Sequence, residues 1–378
     1  MTKIDHKSRA HALLSASSAA RWLACPPSAV AAEVYPPQDT PFTREGTLAH
    51  EVAEEVVRSY GHGRLIETPA GATQEMIDHA NAYRDYILEL IHDDNALVLL
   101  EQRVDFSPWV PDGFGTADCI IIQGDTMTVI DYKYGQGVPV SAVDNPQMRL
   151  YALGALNDYG FAYDVERVEM HIFQPRLDNI SVDAMALPDL MTWAENIKPR
   201  AAQAAAGKGD YTPGLHCKFC PHAGRCPELT KVCTEYVQTH GMRRKVPVLA
   251  PHEVAEVLRM EPMVTMWLKR VKDQALTTML NGEHVPGYKV VEGKQGNRKW
   301  TDELQVAKAL EAAGYGPGEY TEVKLLSPAS MDKALGKKTV AETLAHLIDR
   351  APGAPTIAPE SDKRQPYDRL AEAQKDFQ

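Results

Sequence analysis

No apolar run in this chain approaches the roughly 20 residues needed to cross a bilayer, which excludes a membrane-spanning helical protein. The N-terminal stretch MTKIDHKSRAHALLSASSAARWLAC lacks the uninterrupted apolar core of a signal peptide, so secretion is not expected and the location expected is cytoplasmic. Positive charge is not in excess either: the net charge is −11, which argues against a partner held by simple attraction to a polyanion. No helix-turn-helix, C2H2 finger or basic-zipper pattern is present, so nothing in the sequence promises to read base edges. Six cysteines in 378 residues are too few for a disulfide scaffold. In a reducing compartment, clustered ones point to a metal or an iron–sulfur cluster.

What the chain does have is enough apolar sequence for a sizeable core and enough length for about two domains. Its charge is unevenly spread. Residues 1–240 hold 19 Lys+Arg against 32 Asp+Glu, and residues 241–378 hold 21 against 19, so the acidity lies wholly in the front part. The back part carries Arg243-Arg244-Lys245, Lys269-Arg270-Lys272, Arg298-Lys299 and Lys337-Lys338. The Pro-bearing stretch Lys245–Pro251 reads as a boundary, giving a front domain over 1–240, a mainly helical region over 241–350, and an extended tail over 351–378 that opens with APGAPTIAPESD.

Hydrophobic periodicity predicts a short helix from Ser15 to Cys25, stopped by Pro26-Pro27, then helices over Arg44–Tyr60 and Thr73–His92. Three strands follow, Leu97–Phe106, Gly115–Gln123 and Thr126–Lys133, the last two joined by a Gly124-Asp125 hairpin turn. A helix over Asn145–Tyr159, a strand over Val165–Gln174 and an Ala-rich helix over Pro188–Ala206 complete an α/β layer fold with a mixed sheet. Further on, His252–Asn281, Asp302–Ala313 and Met331–Asp349 read as helices and Tyr288–Val291 as a short strand.

The most specific local pattern is Cys217, Cys220 and Cys226, a C-x2-C-x5-C spacing that can turn three thiolates toward one centre. Zinc and a cubane cluster each take four ligands, and Cys25, Cys233, His216 and His222 all qualify for the fourth place on spacing alone. Cys119 lies within an apolar strand and is expected to be a small core residue.

A second constellation lies in the expected sheet. Asp131 and Lys133 are two apart on one strand and share a face, and the hairpin can bring Asp118 beside them. Two carboxylates and an ammonium can hold a hard divalent cation and orient an attacking water; the ordinary alternative is a salt bridge on a solvated face. His50, on the helix before the sheet, could complete a metal site. Gln147 and Tyr151, one helical turn apart on the helix after it, can face one groove.

In order, Cys25, Gly46 to His50, Asp118 after Gly115-Thr116-Ala117, Asp131-Tyr132-Lys133, Gln147 with Tyr151, and Cys217, Cys220, Cys226 make up a joint pattern over residues 13–230. This pattern resembles the RecB-like branch of the PD-(D/E)xK nucleases, in particular the iron–sulfur forms represented by the AddB nuclease domain and the CRISPR-associated adaptation exonucleases. It looks most like a phage or prophage protein of that branch, of a type usually described as a domain of unknown function. The resemblance implies a restriction-endonuclease-like core and a 4Fe-4S cluster on Cys25, Cys217, Cys220 and Cys226. It also implies Mg²⁺ or Mn²⁺ held by His50, Asp118, Asp131 and the Tyr132 carbonyl, with Lys133 serving the water and Gln147 and Tyr151 touching the scissile strand. The implied activity is a DNA exonuclease working from single-stranded or duplex ends in phage recombination or DNA processing, inside a bacterial host cell. A phage single-strand annealing protein or a helicase would be its partner. Asp131 stands where Glu is commoner in the family, and Cys233 is a rival cluster ligand. A different reading, a cluster-stapled nucleic-acid-binding or assembly protein with a vestigial site, would expect Asp131 or Lys133 to be lost, and both are present.

Overall fold

Gly124 takes φ = 56°, the left-handed geometry a two-residue hairpin turn requires, and sets Cys119–Gln123 against Thr126–Ile130 in antiparallel register. Around this hairpin the computed structural model builds a five-stranded sheet. It describes residues 12–36, 40–62, 67–241 and 250–291, with shorter stretches between 303 and 348. The strands are β1 (Leu97–Asp105), β2 (Phe114–Gln123), β3 (Thr126–Tyr132), β4 (Arg167–Gln174) and β5 (Asn179–Ala186), and their spatial order follows the sequence. Three of the four pairings are antiparallel; β3 and β4 run parallel. A parallel pair needs a crossover. Here it is the helix Pro146–Tyr159.

In chain order the helices of the first compact unit, Met1–Val291, are α1 (Ala19–Ala24), α2 (Ser28–Ala32), α3 (Pro41–His62), α4 (Gln74–Leu90), α5 (Pro146–Tyr159), α6 (Leu187–Ala205), α7 (Pro227–Gly241) and α8 (Pro251–Leu280). The second unit, Glu292–Gln378, contains α9 (Glu303–Ala312) and α10 (Lys337–Leu344). The mixed α/β class with a helical C-terminal region is thus as expected. Among the described residues, no helix is long and apolar enough to cross a membrane.

Two layers sandwich the sheet. Ile120, Ile122, Met127 and Val129 face α5, α6 and the N-terminal segment, in a core that includes Leu14, Trp22, Met148 and Leu153. Ile121, Ile130 and Tyr132 face α3 and α4, against Val52, Val56, Tyr83 and Ile87. Helix α5 is buried almost all round because it lies between the sheet and the N-terminal helices, and it approaches β1 closely. A Cβ on Gly154 would stand 2.8 Å from Val104 Cβ. The N-terminal segment is fixed by Trp22 Nε1 donating to the Ser15 carbonyl at 3.1 Å and by Arg200 donating to the carbonyls of Leu23 and Ala24 at 2.8 and 3.0 Å.

Four details differ from the sequence expectation. The edge strand β5 is additional, reached through a tight turn in which Asp178 takes φ = 48°. Its apolar residues Ile180 and Val182 point to solvent, so it lacks the inward hydrophobic alternation by which strands are recognised. Tyr288–Val291 forms no strand, having no pairing partner among the described residues. The cysteine-rich segment is two short 3-10 turns, Leu215–Phe219 and Pro221–Arg225, and Cys233 belongs to α7. The boundary expected at residue 240 falls within the first unit, since α8 packs back on the cysteine loop: a Cβ on Gly224 would lie 2.5 Å from the Arg270 carbonyl oxygen. Residues 245–249 of the expected linker, and the tail over 351–378, lie outside the described residues.

Candidate functional site

The β1–β2 ladder runs from Leu97 opposite Ile122 to Asp105 opposite Phe114 and is interrupted only where Glu101 faces Asp118. There Glu101 takes φ = 50°, a conformation that costs a non-glycine residue about 1–3 kcal/mol. The pleat changes phase at the same point. Leu100 packs toward α3 and α4 but Val104 toward α5, and Cys119 packs toward α3 and α4 but Ala117 toward α5. An uninterrupted strand would keep each pair on one face. Such local defects re-aim side chains, and this one brings Glu101 and Asp118 to His50 of α3.

His50 Nδ1 lies 3.4 Å from Asp118 Oδ1 and 3.9 Å from Glu101 Oε1. One ligand atom from each of the three lies within 4.8 Å of the others. Asp118 Oδ2 accepts the backbone N–H of Tyr132 at 2.7 Å, which fixes the carboxylate, and the Tyr132 ring meets the His50 ring edge-on at 5.5 Å. Beside this group, Lys133 Nζ lies 3.1 and 2.9 Å from the two oxygens of buried Asp131. Gln147 Nε2 donates to Asp131 Oδ1 at 2.9 Å and lies 3.3 Å from the Tyr151 hydroxyl. Sequence explains the aim of Gln147: Asn145 caps α5 by accepting the Gln147 N–H at 3.0 Å, and Pro146 supplies the preset φ of the first turn. Gly115 is needed because a Cβ there would stand 2.7 Å from the Tyr151 ring.

Burial alone would drive the His50 imidazolium to lose its proton, but the Asp118 carboxylate beside it prevails and its pKa is pushed up to about 10. Burial raises Asp131 and Glu101 above the usual carboxylate range, with Lys133 and His50 respectively opposing it. Lys133 is held protonated by Asp131 against the effect of its own burial. Three carboxylates thus face two cationic side chains. The donor set is oxygen-rich with one imidazole, which suits a hard divalent ion such as Mg²⁺ or Mn²⁺.

The residues expected from sequence, His50, Asp118, Asp131, Tyr132, Lys133, Gln147 and Tyr151, therefore converge where the middle of β2 passes the C-terminal end of β3. Asp131 engages Lys133 and Gln147 and lies outside the close three-residue group, where Glu101 stands in addition. Glu101 was not expected: it sits in an ordinary strand pattern, and only its left-handed backbone sets it apart.

A separate cavity is lined by Cys25, Cys217, Cys220 and Cys226. All six cysteines of the chain are buried free thiols. The Thr212 N–H donates to Cys25 Sγ and the Gly214 N–H to Cys217 Sγ, each at 3.5 Å. Burial pushes the Cys217 thiol up to about 11 and raises Cys220 as well, with Arg21 opposing it at Cys220. Among the described residues, no three thiol sulfurs lie within 4.8 Å of one another. His216 and His222 also line the cavity, with His216 Nε2 2.8 Å from the Thr212 carbonyl and His222 Nδ1 3.1 Å from the Tyr35 hydroxyl. Cys233 is fully buried beside Leu229 and does not line the cavity. Cys119 is in the core against α3 and α4.

Residues 11–365 match the family described as protein of unknown function (DUF2800), and the chain belongs to that family. A solved crystal structure, that of SSO0001, is similar at 19% identity over 48% of this chain and 84% of that one, with a TM-score of 0.23.

Proposed function

We propose that this chain is a Mg²⁺- or Mn²⁺-dependent deoxyribonuclease of the RecB-like PD-(D/E)xK kind, acting from DNA ends as an exonuclease. The observation that carries this reading is the meeting of His50, Glu101 and Asp118 beside the Asp131–Lys133–Gln147 network, supplied by three strands and two helices. When bound, a divalent cation supplies charge to the scissile phosphate and acidity to a water. The chain's own residues do the rest. His50, Glu101 and Asp118 would hold the ion, and Asp131, engaged by Lys133 and Gln147, would lie beside them. Lys133, its ammonium secured by Asp131, is placed to orient the attacking water or donate to a phosphate oxygen. Gln147 and Tyr151 form one wall against which the scissile strand can lie.

The cysteine cavity, lined by Cys25, Cys217, Cys220 and Cys226, would supply the four thiolates that a 4Fe-4S cluster takes. Cys25 is the fourth ligand in this reading, the cluster is a structural clamp, and the partners are DNA ends and a phage annealing protein or helicase.

The test is digestion of end-labelled single- and double-stranded DNA with Mg²⁺ or Mn²⁺ by protein purified anaerobically. Linear DNA should disappear progressively, covalently closed circles should survive, and Asp131→Ala and Lys133→Ala should each abolish cleavage in a folded protein. Wild-type activity in both variants would remove the active-site assignment. Rapid cutting of closed circles would replace the exonuclease with an endonuclease.

A further inference from the structure

Cys217 and Cys220 turn inward to the cavity, which leaves the residues between and beside them facing out. Leu215 is 77% exposed and Phe219 72% exposed, large values for such side chains. They stand at a groove of about 830 Å³ between the cysteine loop and α8, whose far wall includes Met263 and Met266. Single exposed apolar residues are ordinary, but a contiguous apolar groove marks an interaction surface.

Its polar groups are cationic where they adjoin Phe219. Lys218 holds its ammonium 5.5 Å from the Phe219 ring centroid, Arg270 is anchored by donating to the Lys218 carbonyl, and Lys269 adjoins Arg270 on α8. Glu261 and Asp273 also line the groove, so the cations outnumber the carboxylates by one on a chain whose net charge is −11. The groove is built in place: Gly224 allows the α8 backbone to lie against the loop, and the Arg270 bond ties the two together.

We propose that this groove binds single-stranded nucleic acid, with Phe219 as a stacking platform for a base and Lys218, Lys269 and Arg270 as phosphate contacts. The pairing of an exposed aromatic ring with neighbouring cations is what a strand of stacked bases and phosphates requires, whereas an acidic protein segment would use the charges and leave the ring uncovered. This rests on the nuclease reading only for the identity of the strand as substrate. The groove gives the acidic front domain a cationic approach for a polyanion that its carboxylates would otherwise repel.

The experiment measures binding of a fluorescein-labelled oligo-dT to the full chain by anisotropy in EDTA, so that no cleavage is needed. Phe219→Ala should weaken binding roughly fivefold or more and leave the salt dependence unchanged. The double variant Lys218→Gln, Lys269→Gln should lower the slope of log K against log salt by about 1.4, from about 0.7 per lost phosphate contact. Equal affinity and slope in both variants, or no binding by the wild type at low salt, would overturn the proposal. So would a change from dimer to monomer in Phe219→Ala with oligonucleotide affinity intact, which would give the groove to a second copy of the chain. Binding through the groove by a protein that cuts no DNA would remove the nuclease reading alone.

Discussion

Replacing Cys25 tests the clamp most directly. Cys25 lies in the N-terminal segment and its cavity partners begin at Cys217, so a centre shared by them closes a loop of nearly two hundred residues. If the centre stays intact as a cross-link, the chain-entropy relation used for disulfides gives about 5 kcal/mol for a loop of that length. For a unit of this size, where about 1 kcal/mol moves the melting temperature by about 2–4 °C, the full effect is about 10–20 °C. Cys25→Ala also removes a buried sulfur, a packing loss of about 1 kcal/mol. Cys233→Ala supplies that loss alone, because Cys233 is equally buried but does not line the cavity. The assay is anaerobic purification followed by visible absorbance and differential scanning calorimetry of wild type and both variants. The expected result is bleaching or loss of the absorbance and a large fall in melting temperature for Cys25→Ala, with only a few degrees and an unchanged spectrum for Cys233→Ala. Equal small shifts with both spectra intact would refute the clamp, and the reverse pattern would transfer the fourth ligand to Cys233.

Proton release is a second expectation: because His50 is protonated up to about pH 10 without an ion, uptake of Mn²⁺ at pH 7–9 should expel close to one proton from it, measurable by calorimetry in buffers of different ionisation heat. The same raised pKa makes the His50–Asp118 pair stabilising below about pH 6.5, with that contribution fading as pH rises toward 10, so ion-free protein should lose stability over that window and His50→Gln should lose less. Glu101→Gly should relieve the φ = 50° strain and raise the melting temperature of ion-free protein slightly while weakening Mn²⁺ binding; unchanged Mn²⁺ affinity would remove Glu101 from the site. Gly224→Ala should destabilise by about 1–3 kcal/mol, since the added methyl meets the Arg270 backbone, and hydrogen exchange should show α8 loosened; full protection of α8 would contradict its docking there.

Much of this was legible in the sequence because it follows from short-range periodicity. The β2–β3 hairpin, α4, α5 and α8 are written in turn residues, caps and repeating apolar positions, and Asp131 with Lys133 needs only the two-residue period of a strand to share a face. Glu101 was not legible because its placement depends on a change of pleat phase between two strands, which local pattern cannot reveal. The strand β5 was hidden by its outward-facing Ile180 and Val182, stabilised by pairing with β4 instead of by burial. Conversely Tyr288–Val291 has strand-forming residues and, among the described residues, no neighbour to pair with. Spacing left four residues competing with one another for the last place beside Cys217, Cys220 and Cys226, and only the packing of the N-terminal segment on α6 puts Cys25 at the cavity.

That packing also sets an order of events during synthesis. Trp22 and the carbonyls of Leu23 and Ala24 leave the ribosome well before their partners, α5 and Arg200 of α6, which come some 120–180 residues later. At about 5–20 residues per second, the N-terminal segment waits on the order of ten seconds or more with its apolar side uncovered. Cys226 follows later still, so any centre requiring all four cysteines is assembled only after the sheet and its helices have been made. Chaperone dependence in the cell should therefore concentrate on the segment Ser15–Cys25, and supply of any inorganic centre bound there should limit the last step of maturation rather than the first.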